Sequence, residues 1–322
     1  MKRTILLTGK TGQVGSELLN LLPAVGDVIA PDRNELDLLD ADSIRRAVRV
    51  IRPGIIVNAA AYTAVDAAEA QTADAYAINA VAPAIFAEEA QKIGAVIVHY
   101  STDYVFDGLK REPYVETDSA NPISVYGKTK LAGEQAILAS GVPNLIFRTA
   151  WVYATYGRNF LLTILRLATE REELRIVHDQ FGAPIWSREI AEATVKIMAQ
   201  LYKEGRAGPD LTQVGGVYHL TAAGTTTWYD FACAILEEAA HISSEVPWFA
   251  EATRRRPIIA RRIIPITTAE YRTAASRPAW SVLSNSRLTR AFGFGLPEWR
   301  SQLRGLFGLG CSAASAVVAS DR

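Results

Sequence analysis

Tyr126 and Lys130 stand four residues apart in the run Ser124-Val125-Tyr126-Gly127-Lys128-Thr129-Lys130. On a helix this spacing puts the phenol and the ammonium on one face, one turn from each other. A nearby cation favours phenolate and lowers a tyrosine pKa that is otherwise about 10. Such a tyrosine gives or takes a proton at neutral pH. The same pair on a solvated helix face does nothing, so its meaning depends on the rest of the chain.

A second candidate lies at the N-terminus. The β-rich run Thr4 to Thr8 leads directly into Gly9-Lys10-Thr11-Gly12-Gln13-Val14-Gly15, followed by a helical pattern of Leu18, Leu19, Leu21 and Leu22. Strand, glycine turn and helix come in the order a nucleotide-binding unit needs. Glycines tighten the turn and bring backbone N–H groups close to a pyrophosphate at the helix N-terminus. The competing reading is a glycine-rich turn with no ligand. A second strand, Val28 to Ala30, ends at Asp32-Arg33, near the expected position of a ribose reader. An acid there favours the free 2′-hydroxyl of NADH, and an arginine favours the 2′-phosphate of NADPH. The chain offers both. Asp37-Leu38 follows, where an adenine edge can be held, and Ala59-Ala60-Ala61 offers small side chains along which a dinucleotide can lie.

The elements that must position these residues alternate. Strands are read at Ile55 to Asn58, Ala95 to Tyr100 and Asn144 to Thr149. Helices are read from Ile44 to Ile51, from Thr72 to Lys92 with a kink at Pro83, and from Tyr126 to about Ala139. The second of these strands, Ala95 to Tyr100, delivers Ser101-Thr102-Asp103-Tyr104 to the carboxyl edge of the sheet, where ligands bind in open α/β sheets. Residues 1–150 therefore read as one doubly wound parallel sheet, with later segments returning to it. After Trp151 the rhythm changes to shorter elements. Residues 151–307 read as a smaller mixed α/β substrate-binding lobe, and residues 308–322, rich in Ala, Ser and Gly, as a disordered tail.

Composition narrows the partners. Lys+Arg and Asp+Glu are both 34, so the formal charge is zero and nothing argues for a nucleic-acid or membrane partner. Two cysteines, Cys233 and Cys311, make no disulfide framework. His99, His178, His219 and His241 are scattered without ligand spacing, so no metal set is read from them. The apolar run Ile5-Leu6-Leu7 is too short for a signal-peptide core. A cytoplasmic setting is the expectation.

Gly9/Gly12/Gly15, Thr102 and Tyr126/Lys130 together have the order and spacing found in the extended short-chain dehydrogenase/reductases. The chain resembles that family to about Phe307, and most of all its reductases of 4-keto dTDP-sugars. The matching stretches include Val57-Asn58-Ala59-Ala60-Ala61-Tyr62-Thr63-Ala64-Val65-Asp66, Ser101-Thr102-Asp103-Tyr104-Val105-Phe106-Asp107-Gly108, Arg148-Thr149-Ala150-Trp151-Val152-Tyr153 and Asp179-Gln180-Phe181-Gly182-Ala183-Pro184. The resemblance implies a Rossmann-type fold, an NADPH or NADH cofactor, a dTDP-sugar substrate and a homodimer. It implies Tyr126 as proton donor to the sugar oxygen. Lys130 would hold the nicotinamide ribose and lower the Tyr126 pKa, and Thr102 would hydrogen-bond the substrate oxygen. Asp103, Val65 and Trp151 would contact the sugar nucleotide. The cofactor would meet the glycine turn with Gln13 and Val14, then Asp32, Asp37-Leu38, Ala59 to Ala61 and Tyr100. A Mg²⁺ between subunits is also implied, with Glu17 and Glu189 at two of its positions and no evident third. Two surface glutamates are the competing reading.

The chain departs from the family pattern at Ile185-Trp186, where a threonine is usual after Ala-Pro. Glu204 to Thr212 and Arg254 to Arg262 have no place in it. A 4,6-dehydratase would need an Asp-Glu pair after Thr102, and Asp103-Tyr104 stands there instead. An epimerase uses the same Tyr/Lys pair. A non-catalytic relative, such as the regulatory β subunit of methionine adenosyltransferase, would not need the pair at all.

Overall fold

A computed structural model describes residues 3–202, 211 and 214–318, with side chains described to Gly308. The first half alternates strand and helix. β1 (Thr4–Thr8) leads to α1 (Gln13–Leu21), and β2 (Asp27–Ile29) to α2 (Ala41–Ile51). β3 (Ile55–Asn58) leads to α3 (Val65–Ala68), α4 (Thr72–Tyr76) and α5 (Ala82–Ile93). β4 (Val96–Thr102), α6 (Val125–Ala139) and β5 (Asn144–Thr149) follow. The second half holds β6 (Val152–Tyr153), α7 (Phe160–Ala168), β7 (Glu173–Val177), β8 (Phe181–Gly182), β9 (Ile185–Trp186) and α8 (Ser187–Leu201). It continues with β10 (Gly216–His219), β11 (Thr226–Thr227), α9 (Trp228–Ala239), α10 (Pro247–Ala252), β12 (Arg262–Ile266), α11 (Ser286–Phe292) and α12 (Trp299–Val318).

Six strands form one parallel sheet in the order β10-β5-β4-β3-β1-β2. The chain passes from β2 on one side of β1 to β3 on the other. The carboxyl ends of β1 and β3 therefore flank the crevice in which open sheets bind ligands. Unbroken apolar runs such as Ile55-Ile56-Val57 fit strands covered on both faces. Alternate residues serve two cores. Ile5, Leu7, Val57 and Val98 pack with Leu18 of α1 and Ile190 of α8, whereas Leu6, Ile56 and Ile97 pack with Ile44 of α2, Phe86 of α5 and Ile137 of α6. The first core runs on without a break to Leu161, Phe231 and Trp299 in the second half of the chain.

The single helix expected from Thr72 to Lys92 is interrupted. Between α4 and α5 the chain makes a π-helical turn at Ala77–Val81. Pro83 has no N–H to offer the Asn79 carbonyl, which frees that oxygen. Gly133 of α6 fits against it, and a Cβ there would overlap it. Residues 308–322, expected as a disordered tail, are entered by α12, which continues to Val318. Alanine's high helix propensity accounts for the continuation. Apart from Leu211, the unplaced segment Glu204 to Thr212 lies outside the described residues.

Candidate active site

Ser124 caps α6, its hydroxyl accepting the Gly127 N–H at 3.2 Å. Tyr126 thus sits in the first turn of α6, with Lys130 one turn further along. β4 ends at Thr102, and a 3₁₀ turn, Asp103–Val105, follows it. The start of α6 rests on this turn. A Cβ on Gly127 would overlap the Tyr104 carbonyl oxygen, so a glycine is what allows the approach. The Tyr104 and Tyr126 rings then meet edge to face, 5.8 Å apart.

Tyr126, Thr102, Asp103, Val65, Trp151 and Gln13 line one cavity of about 810 Å³. Within it, the Thr102 hydroxyl donates to Asp103 Oδ1 at 3.0 Å and accepts the Tyr104 N–H at 3.2 Å. Asp103 is buried, and its Oδ2 has no partner. Burial pushes the Asp103 carboxyl up to about 7, against the hydrogen bond from Thr102. Burial also pushes the Tyr126 phenol up to about 12, opposed by a hydrogen bond with Thr102 and assisted by the charge of Asp103.

The expected lowering of the Tyr126 pKa by Lys130 is not found in the free protein. Lys130 is 2% exposed, and its Nζ turns into the sheet. It donates to the Tyr100 carbonyl at 2.5 Å and lies 3.4 Å from His99 Nε2. Burial lowers the Lys130 ammonium to about 8, with Glu134 opposing. Loss of water at each group favours its uncharged form.

The cofactor residues form a separate cradle along the carboxyl ends of β1 to β3. Gly9 has φ +75°, and a Cβ on it would press on the Ala60 amide, while one on Gly15 would overlap the Gly9 carbonyl. Strand end, turn and helix are thus drawn together as close as backbone allows. α1 begins after Gly12, which has no side chain to cap it, so its first amides stay open beside Gln13 and Val14. The partly exposed Ala59, Ala60 and Ala61 border the same turn. Asp32 and Arg33 are exposed at the end of β2. Asp32 Oδ1 accepts the Asn34 and Glu35 N–H groups, and Asp37 Oδ1 accepts the Leu39 N–H. Leu38 packs on the α2 side of the sheet. Open helix amides, a close-packed glycine turn and a nearby arginine suit a dinucleotide's phosphates. Tyr100 does not join the cradle through its side chain. Its hydroxyl pairs with Thr194 of α8 at 2.8 Å, and only its carbonyl reaches Lys130.

Trp151 takes a left-handed backbone, φ +50°, and stacks flat on Trp228 with centroids 3.5 Å apart. Trp228, also at the cavity, was not anticipated from sequence, nor were Arg158, Arg171 and Arg175 in the cavity wall. The conspicuous arginines Arg254 and Arg262 instead pair with Glu170 and Glu173 on the surface. Asn79 was also missed. It is buried, accepts the Tyr62 N–H at 2.9 Å, and donates to the Tyr62 carbonyl and to Thr129 Oγ1. It thereby ties the loop after β3 to the helix bearing Tyr126. Pro83, four residues on, is the one sequence signal that could have drawn attention to it.

Glu17 accepts from the Tyr156 hydroxyl at 3.1 Å, and Glu189 stands in the first turn of α8, its carboxyl raised by burial. Among the described residues no group of three or more His, Cys, Asp or Glu side chains could hold a metal ion.

The chain is 47% identical over 296 residues to the dTDP-4-dehydrorhamnose reductase of Burkholderia thailandensis, covering 92% of this chain and 95% of that protein. It is 43% identical over 300 residues to the enzyme of the same name from Escherichia coli K12, again covering 92% of this chain and 94% of the other. Its fold superposes with a TM-score of 0.82, at 34% identity, on a crystal structure of dTDP-4-dehydrorhamnose reductase from Bacillus anthracis in complex with NADP, covering 95% and 99% of the two chains. The family model of the RmlD substrate binding domain matches residues 1–308. With that match and relatives above 40% identity along nearly the whole chain, this protein is a member of the RmlD substrate binding domain family.

Proposed function

We propose that this protein reduces the C4 ketone of dTDP-4-dehydro-β-L-rhamnose to give dTDP-β-L-rhamnose, using NADPH or NADH. The meeting of Tyr126 and Thr102 in one cavity, beside a glycine turn built for a dinucleotide, carries the reading. The names of its relatives support it. The reduced nicotinamide, when bound, supplies the hydride to the ketone carbon.

The chain's own residues do the rest. Tyr126, held protonated by burial, is the acid that neutralises the oxyanion developing on the sugar. Thr102 steadies the phenol and is oriented by Tyr104 N–H and Asp103. Lys130, one turn along α6 from Tyr126, is held beneath the site by the Tyr100 carbonyl and would meet the nicotinamide ribose. Arg171, Arg175 and Arg277 in the cavity wall supply positive charge for a diphosphate. Trp151, braced by Trp228, offers the sugar an apolar wall. Arg33 and Asp32 at the end of β2 meet the adenosine ribose. A cytoplasmic homodimer is part of the proposal, in keeping with the supply of reduced nicotinamide there.

The test mixes purified protein with NADPH or NADH and dTDP-4-dehydrorhamnose made in situ by the upstream enzymes. Loss of the reduced-nicotinamide absorbance, with dTDP-L-rhamnose as product and no turnover in Tyr126→Phe, is the expected result. A folded protein that binds either cofactor yet oxidises neither overturns the reading. Light scattering of the same sample reports the dimer.

A further inference from the structure

Four buried polar side chains run in a line beneath the site. Thr8 ends β1, Asn58 ends β3, His99 lies in β4 and Lys130 in α6. Each is no more than 3% exposed. Thr8 Oγ1 and Asn58 Oδ1 are 2.6 Å apart, Asn58 Nδ2 and His99 Nδ1 3.1 Å, and His99 Nε2 and Lys130 Nζ 3.4 Å. Parallel register puts Thr8, Asn58 and His99 side by side across three neighbouring strands. Polar groups this deep are costly unless each is paired.

Two orders satisfy every donor and acceptor, and the first is open only to an uncharged Lys130. With Thr8 donating to Asn58 Oδ1, the Asn58 amide donates to His99 Nδ1. A neutral imidazole then carries its hydrogen on Nε2 and donates to Lys130, which must be an uncharged amine to accept. If Lys130 is an ammonium, every bond reverses. Nζ donates to His99 Nε2, Nδ1–H donates to Asn58 Oδ1, and the turned amide donates to Thr8 Oγ1. An amide turned by half a rotation occupies the same space. The Ala60 N–H donates to Thr8 Oγ1 at 3.3 Å in either state.

We propose that Thr8, Asn58 and His99 form a hydrogen-bond chain whose direction follows the charge on Lys130, His99 changing tautomer as the lysine gains or loses its proton. The two states differ by one proton, carried on Lys130. His99 stays neutral in both. It is a positioning residue that holds Lys130 in one place through both charge states, with no second charge buried in the sheet. In the ammonium state the Thr8 hydroxyl hydrogen is released, one residue before the glycine turn.

The surroundings favour this arrangement. Burial and Lys130 hold His99 well below its ordinary pKa, so it does not become imidazolium. Burial also brings Lys130 into the range where both its forms are populated near neutrality. Glu134, the carboxylate on the same helix, is taken by Arg148 of β5 at 2.6 Å. Asp103 after β4 and Tyr126 on α6 bear on each other at the cavity, and Tyr100 reaches Lys130 with its carbonyl only. Among the described residues no carboxylate forms an ion pair with Lys130, and Glu134 acts on it only through space.

The coupling is tested in the free protein, so it does not depend on the reductase reading; its use in turnover does. Protein with ¹⁵N-labelled histidine is followed by NMR from about pH 6 to about pH 10. The His99 signal is the one missing in His99→Gln. The hydrogen should sit on Nδ1 at low pH and on Nε2 at high pH. Lys130→Arg, permanently charged, should keep the Nδ1–H form throughout, and Lys130→Met should abolish the pH response. A wild-type His99 that keeps one tautomer across the range, or becomes imidazolium, overturns the proposal. In turnover, His99→Gln, which can turn its amide, should keep the pH profile of kcat/KM. His99→Leu should shift one limb of it, and an unshifted profile in folded His99→Leu counts against the proposal. A tautomer switch without NADPH oxidation would overturn the reductase reading alone.

Discussion

Gly127 of α6 sets its Cα against the carbonyl oxygen of Tyr104, with no room for a Cβ between them. The residue next to the reactive phenol therefore sets how near that phenol comes to Thr102. In Gly127→Ala, α6 must lift off the turn after β4, or the turn must yield. Tyr126 moves by an amount comparable to the overlap. Misplacement of about 1 Å costs on the order of 100-fold in rate. We expect kcat/KM to fall by about that factor while the circular dichroism spectrum is kept. Lys128→Ala, on the exposed side of the same helix, serves as the control. Equal activities in the two variants would show that the approach does not matter.

Asp32 and Arg33 divide the adenosine end of the cradle unequally. Asp32 Oδ1 is already engaged by two backbone amides, whereas Arg33 is exposed at the same strand end. A charge-assisted hydrogen bond to a 2′-phosphate contributes about 1.5–3 kcal/mol, so Arg33→Ala should raise the KM for NADPH by about tenfold or more. The KM for NADH should stay the same. Matching changes for both cofactors would place Arg33 away from the 2′ position.

Asp103 should leave a signature on stability. Its folded pKa, about 7, lies above the unfolded value near 3.9. The folded state therefore holds a proton that the unfolded state loses between these values. Stability falls as pH rises from about 4 to about 7, by on the order of 4 kcal/mol, and is level above that. Urea unfolding of wild type and Asp103→Asn at pH 5 and pH 8.5 checks it. The asparagine variant should gain on wild type at the higher pH. Identical slopes in the two proteins would refute the assignment.

Arg148 and Glu134 form a buried bidentate pair between β5 and α6, 2.6 Å at its shorter contact. Removing one partner strands the other in a dry interior. Arg148→Met should cost about 3–5 kcal/mol in denaturant midpoints, and Arg148→Met with Glu134→Leu should recover much of it. A double variant no more stable than the single one would mean that the pair acts through shape and not charge.

Local pattern carried a great deal here. Period-two and period-3.6 runs, glycine spacing and the Tyr126–Lys130 interval are properties of neighbouring residues, so the alternation of strand and helix in the first half and the glycine turn were legible before any contact was known. What neighbours could not reveal was which way a long side chain turns. Lys130 points at His99 and Tyr100, and not at the phenol one turn away, because the hydrogen-bond partners it finds lie 30 residues back on β4. The Trp151–Trp228 stack and the Asn79 tie likewise join residues far apart in the chain. Burial decided the protonation of Tyr126, Asp103 and Lys130, and burial exists only once distant segments have closed over a group and driven out its water.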